Sequence, residues 1–145
     1  MTQRYLGFDF GLRRIGVAVG QTLTGTATPL KTLDAEHGQP DWVEISALIT
    51  EWQPAALVVG VPLHMDGSEQ PLTAASRTFA RRLQERCRLP VHEADERMSS
   101  RQAEASIRAG RRDGSRGRTR RGEVDRVAAG LILEHWMQTR AKDDD

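Results

Sequence analysis

A single cysteine, Cys87, stands in 145 residues. It can form no internal disulfide, and a lone thiol suits a reducing compartment, so the expected location is the cytoplasm. Long hydrophobic runs are missing. None approaches the roughly 20 apolar residues that span a bilayer, so no membrane partner is expected. The one apolar N-terminal run is interrupted by Asp9 and has no basic segment before it, unlike a signal peptide. The four histidines, His37, His64, His92 and His135, show no zinc-ligand spacing. With one cysteine and no Ser-His-Asp spacing, chemistry through a protein nucleophile has little support. Lysine is scarce: only Lys31 and Lys142 among 21 basic residues.

Arginine is what the chain has instead. The net charge of +1 conceals an asymmetry: from Arg77 to Arg126 there are 15 arginines against 8 acidic residues. That segment carries +7 and the remainder −6. A guanidinium fork grips phosphate at two points, which points to a phosphate-rich partner. The alternative is a GC-rich genome that writes Arg for Lys on solvated faces, and composition alone does not separate the two.

The length suits one domain, taken as residues 1–140, with 141–145 as a disordered acidic tail. "RYLGFDF" (4–10) is apolar on both faces, as a central strand is. The turn at 11–14 is short enough to demand a hairpin, so a second strand (15–20) returns antiparallel. A third strand is expected over 27–33, then a loop, "DAEHGQPD". A helix over 41–53 puts Trp42, Ile45, Leu48, Ile49 and Trp52 on one side and ends at Pro54. "AALVVGVP" (55–62) is a continuous buried strand of the parallel-sheet kind. A helix over 71–88 and a strand over 89–95 follow. Ser99 or Ser100 caps a further helix ending near Gly110. Residues 111–122, "RRDGSRGRTRRG", have no apolar residue and are expected to be a mobile loop before a last helix over 123–140. The fold class is α/β, in the order βββαβαβαα. Right-handed crossovers align the C-terminal ends of strands one, four and five on one edge, where sites form in such sheets.

That edge collects carboxylates. Asp9 ends strand one, Asp95 and Glu96 end strand five, and Asp125 opens the last helix on a face with Ala128, Ala129, Ile132 and Trp136. Each has an ordinary explanation: Asp9 accepting bonds from its turn, Asp95 capping a helix, Glu96 paired with Arg97, Asp125 favouring a helix N-terminus. Together they repel unless a cation sits among them. Oxygen ligands without organised His or Cys select a hard ion, Mg²⁺ or Mn²⁺. Such acids beside an arginine-rich segment suggest metal-assisted phosphodiester cleavage.

Four stretches, "LGFDFGLRRIGVAVG", "VVGVPLHMDGSE", "DERMSS" and "VDRVAAGLILEHW", resemble the signatures of the YqgF family over residues 4–138. These are RNase H-like, Holliday-junction-resolvase-like proteins linked to maturation of the precursor 16S rRNA 5′ end. The resemblance implies a five-stranded mixed sheet with strand two antiparallel, and Asp9, Glu96 and Asp125 as catalytic, metal-holding acids. It leaves Asp95 and Glu96 unseparated, with Glu96 the favoured ligand. The family often has Asn at the position of His64 and an Asp at that of Gln21. A solvated or structural role is expected for His64.

Arg13, Arg14, Arg97, Arg111, Arg112, Arg116, Arg118, Arg120 and Arg121 are the candidate phosphate contacts, able to bind a backbone without reading sequence. Close packing is the favoured role for Gly7 and Gly16, and core packing for Trp42, Trp52 and Trp136. The expected function is a metal-dependent endonuclease on structured RNA, with one or two ions activating water and stabilising the leaving oxygen. Ribosomal assembly intermediates are further possible partners, and the chain is expected as monomer or homodimer. The alternatives are a Holliday junction resolvase acting on branched DNA and a non-catalytic nucleic-acid-binding factor.

Overall fold

The computed structural model describes residues 3–97 and 117–143. Six strands form one sheet: β1 (Arg4–Asp9), β2 (Arg14–Gln21), β3 (Thr26–Glu36), β4 (Gln39–Pro40), β5 (Ala56–Leu63) and β6 (Val91–Arg97). Their order across the sheet is β4-β3-β2-β1-β5-β6. The described helices are α1 (Trp42–Trp52), α2 (Thr73–Cys87) and α3 (Gly117–Asp143). β1 is central and pairs antiparallel with β2 and parallel with β5, and β5 pairs parallel with β6. The C-terminal ends of β1, β5 and β6 therefore share an edge, and antiparallel β2 begins there.

Strand alternation sorts the side chains onto two faces. Leu6, Phe8, Phe10, Ile15, Val17, Leu57 and Val59 join Ile45, Phe79 and Leu83 in the core that covers α1 and α2. The other face is built from small residues. A Cβ at Gly7 would lie 2.9 Å from Leu133 Cβ, one at Gly20 2.9 Å from Met137 Cε, and one at Gly60 2.7 Å from Ile132 Cδ1. A Cβ at Gly16 would run into the Asp125 carbonyl. Glycine lets the helix backbone lie directly on the sheet. Ala129, Ile132, Leu133 and Met137 of α3 fill what remains, against Tyr5, Val58 and Ala94. The close-packing role expected for Gly7 and Gly16 is what the structure shows, and Gly60 joins them. The three tryptophans pack against these two cores.

Three expectations need correction. The sheet has six strands, not five: part of "DAEHGQPD" forms β4, whose pairs are Ala35↔Pro40 and Glu36↔Gln39. The tip of that hairpin, His37 and Gly38, has φ of 52° and 80°, the paired left-handed geometry of a tight turn, in a dipeptide that is a weak turn signal. Gly38 N–H donates to Leu12 O at 2.9 Å and Ala35 N–H to Arg13 O at 2.8 Å, so the hairpin braces the β1–β2 turn. Second, α3 begins at Gly117, so 117–122 are helical where a loop was expected. Arginine is a good helix former, and missing apolar residues rule out a buried turn rather than a helical one. Third, α3 continues to Asp143. The helix expected over 99–110 and residues 111–116 lie outside the described residues. Among the described residues, no helix is long and apolar enough to cross a membrane.

Gly16 and Gly130 make opposite predictions. Gly16→Ala pushes a methyl into backbone and should cost at least about 1–3 kcal/mol. Gly130 has no neighbour nearer than 3.8 Å, so Gly130→Ala should be neutral or gain up to about 1 kcal/mol of helix propensity. Urea midpoints at constant m-value check both; equal midpoints for the two variants would contradict the close packing of α3 on β2.

Candidate active site

Asp9 is the last residue of β1, and both of its neighbours across the sheet are glycines: Gly16 on β2 and Gly60 on β5. Neighbouring strands lie about 4.8 Å apart, so two side-chain-free positions flank the carboxylate at that spacing. Each is occupied from elsewhere. The backbone of Asp125 rests over Gly16, and Glu96 reaches over Gly60, where a Cβ would lie 3.4 Å from Glu96 Cγ.

Alternation along β6 separates the two acids that the sequence left together. Ala94 packs against α3 and Glu93 pairs with Arg77 of α2, so Glu96 falls on the α3 face and Asp95 on the other. The sequence expectation ended this strand at Asp95. The strand continues through Arg97, which is what gives the two acids their opposite directions. Asp95 is exposed.

The electrostatics follow from this crowding. Burial, then the charges of Glu96 and Asp125, push the Asp9 carboxyl up to about 7. Burial pushes Glu96 up to about 7 as well. Asp125 fares differently: Arg14 Nε–H donates to its Oδ2 at 2.8 Å, with the two side chains 34% and 23% exposed. Among the described residues, neither Asp9 nor Glu96 forms a salt bridge.

This donor set fits a hard divalent cation. The available donors are carboxylate oxygens, two of the groups without a salt-bridge partner among the described residues, and Mg²⁺ takes few protein carboxylates and keeps several waters. Among the described residues, no three His, Cys, Asp or Glu side chains close around one point. Asp9 and Glu96 form an open pair, and Asp125 stands beside it with one oxygen committed to Arg14.

The remaining candidates scatter. Arg13 is exposed on the braced turn. Arg97 ends β6, and Arg118, Arg120 and Arg121 lie in the first turns of α3. Arg111, Arg112 and Arg116 fall outside the described residues. His64 is exposed in the turn after β5, where its N–H donates to Ser68 O at 2.9 Å. Two contributors were missed from the sequence. Gly60 had a signal, a lone glycine inside an otherwise apolar strand, which marks a close approach. The Arg14–Asp125 pair joins residues 111 positions apart and had none.

The family model described as "RuvX: Holliday junction resolvase" matches residues 3–139. A Pseudomonas putida protein named "Putative pre-16S rRNA nuclease" is 49% identical over 133 residues, covering 92% of this chain and 93% of its own. A Coxiella burnetii protein of the same name is 52% identical over 134 residues, covering 92% and 91%. Thermus thermophilus RuvC in complex with a Holliday junction substrate matches with a TM-score of 0.53 over 96% of both chains at 13% identity, a likeness of fold alone. The RNase H-like expectation drawn from the four motifs agrees with that fold, and the family resemblance agrees with the relatives.

The raised acids predict an inverted stability profile in metal-free buffer. The folded protein holds the Asp9 proton more tightly than the unfolded chain does, so stability falls as the pH rises from about 4 to about 7 and is then level. Asp9→Asn should remove that cost. At pH 8 it should be more stable than wild type by on the order of 2–4 kcal/mol, with the gap closing towards pH 4. Urea unfolding across this range checks it; wild type as stable as the variant at pH 8 would mean that Asp9 already has a counter-charge.

Proposed function

The chain belongs to the RuvX family, and from that membership we propose that it is a metal-dependent endonuclease that hydrolyses phosphodiester bonds at the 5′ end of precursor 16S rRNA. The observation that carries the proposal is the placement of Asp9 between two glycines, with Glu96 and Asp125 brought to its sides. Asp9, Glu96 and Asp125 are the residues that would hold one or two Mg²⁺ or Mn²⁺ ions, whose chemistry is activation of water and stabilisation of the leaving oxygen. Asp95 faces away and is not part of this set.

The chain's own residues supply the rest. Asp9 is fixed by the central strand, so its carboxylate is the site's reference point. Arg13, on the braced turn, offers a guanidinium to phosphate. Arg97, Arg111, Arg112, Arg116, Arg118, Arg120 and Arg121 would supply further guanidinium groups for phosphate. Such contacts hold a backbone without reading its sequence. The same reading makes residues 1–140 one catalytic domain acting in the cytoplasm. A second reading, cleavage of DNA four-way junctions, is favoured by the description of the matching family model. Its two-fold substrate calls for a dimer.

The test compares wild type with Asp9→Asn on labelled precursor 16S rRNA and on a DNA four-way junction, each with Mg²⁺, Mn²⁺ or EDTA. The expected result is cutting of the RNA that needs the metal and falls at least about 100-fold in the variant, since even indirect damage to a metal site costs 10–100-fold. Cutting of the junction alone selects the second reading. Binding of both substrates without cleavage by folded wild type would replace catalysis with a binding role.

A further inference from the structure

Arg14 and Gly16 are two residues apart on β2 and so face α3 together. Gly16 seats the backbone of Asp125, and Arg14 takes its side chain. One strand thus holds one acid at two points. The contact uses Nε–H, the donor nearest the aliphatic stem, and it engages only Oδ2. A guanidinium carries five N–H donors in a fixed fork. Among the described residues, the four on Nη1 and Nη2 make no hydrogen bond, and the side chain is 34% exposed. Solvent, and therefore a ligand, can reach it. Its base does not move freely, because Arg13 O and Leu12 O, on the turn just before it, are bonded to the β3–β4 hairpin.

We propose that Arg14 is a positioning residue that couples the acidic site to the substrate: Nε–H holds Asp125 for a divalent cation while the Nη groups take a phosphate oxygen of the bound strand. The proposal rests on the nuclease reading. The physical basis is that a carboxylate with one oxygen pinned presents the other in a defined direction, and partners of ligating groups of this kind set metal affinity. Phosphate and carboxylate are the two acceptors that the fork matches in geometry. Lysine, a single point of charge, cannot serve both at once. A mere counter-ion would behave oppositely. Its positive charge opposes a cation, so its removal would tighten metal binding.

Full-length wild type, Arg14→Lys and Arg14→Gln provide the test, in two measurements. In Mn²⁺ titration calorimetry without nucleic acid, Arg14→Gln should bind Mn²⁺ about 10-fold more weakly than wild type, despite the lost positive charge. Equal or tighter binding would overturn the positioning role. In fluorescence anisotropy with a precursor 16S rRNA 5′ fragment, Ca²⁺ stands in as an oxygen-seeking ion. Wild type should bind the fragment about 10-fold more tightly with Ca²⁺ than with EDTA, a coupling that linkage makes reciprocal. Arg14→Lys should bind the fragment less than about threefold more tightly with Ca²⁺ than with EDTA, whatever its EDTA affinity, because it keeps the charge and loses the fork that joins Asp125 to phosphate. An undiminished enhancement in Arg14→Lys would overturn the coupling while leaving the nuclease reading intact. Wild type that binds Mn²⁺ but no RNA would overturn the RNA reading and the coupling with it.

Discussion

Everything at the acidic edge depends on Asp9 having no side chain at the two positions paired with it on β2 and β5. Gly16 and Gly60 flank it in register, and each vacancy is used by a residue from another element. A side chain at Gly16 would lift α3 off β2 and carry Asp125 away. A side chain at Gly60 would press on Ile132 and Glu96 together. The same small residues that allow the helix to lie close therefore also bring the acids close. Packing and chemistry are not separable here, because one backbone approach delivers both.

The cost of that approach is electrostatic. Among the described residues, the one guanidinium that forms a salt bridge with these three carboxylates is Arg14, and it pairs with Asp125. Burial raises both Asp9 and Glu96 to about 7, out of the ordinary carboxylate range, and at Asp9 the charges of Glu96 and Asp125 add to it. A fold selected for stability alone would place an apolar residue at the end of its central strand. Strongly perturbed acids in a cleft cluster at functional sites. Strain of this kind is tolerated because two apolar cores, one on each face of the sheet, hold β1 in place from Tyr5 to Phe8.

The sheet was readable in the sequence wherever one residue's neighbours decide its state. The hairpin follows from a turn too short for a crossover, and β5 follows from an uninterrupted apolar run. Helix α1 follows from its periodic apolar face, and Asp41 caps it through Val43 N–H at 2.9 Å. What could not be read depends on partners distant in sequence. β4 is two residues long and exists only against β3, which no local pattern announces. The choice between Asp95 and Glu96 turns on whether a strand stops at 95 or runs to 97, and strand ends are where sequence patterns are least decisive. Arg14 finds its partner only in the fold, where Asp125, 111 positions away, lies beside it.

The antiparallel course of β2 explains why that arginine is there at all. In a purely parallel sheet, the strand beside β1 would bring its own C-terminal end to this edge, and its side chains would arrive after a full crossover. A hairpin does the opposite. Its second strand begins where the first ends, so residues just past the turn stand level with Asp9. The spacing Arg14-x-Gly16 then places a cation and a side-chain-free position on the same face, one beyond Asp9 and one directly beside it. A shift of register by a single residue would send both to the opposite face, against the apolar core. The hydrogen bonds from Ala35 and Gly38 to the turn hold it in place and with it the start of β2. The small β3–β4 hairpin, which contributes none of Asp9, Glu96 and Asp125, thereby acts on the acidic edge through the position of one guanidinium.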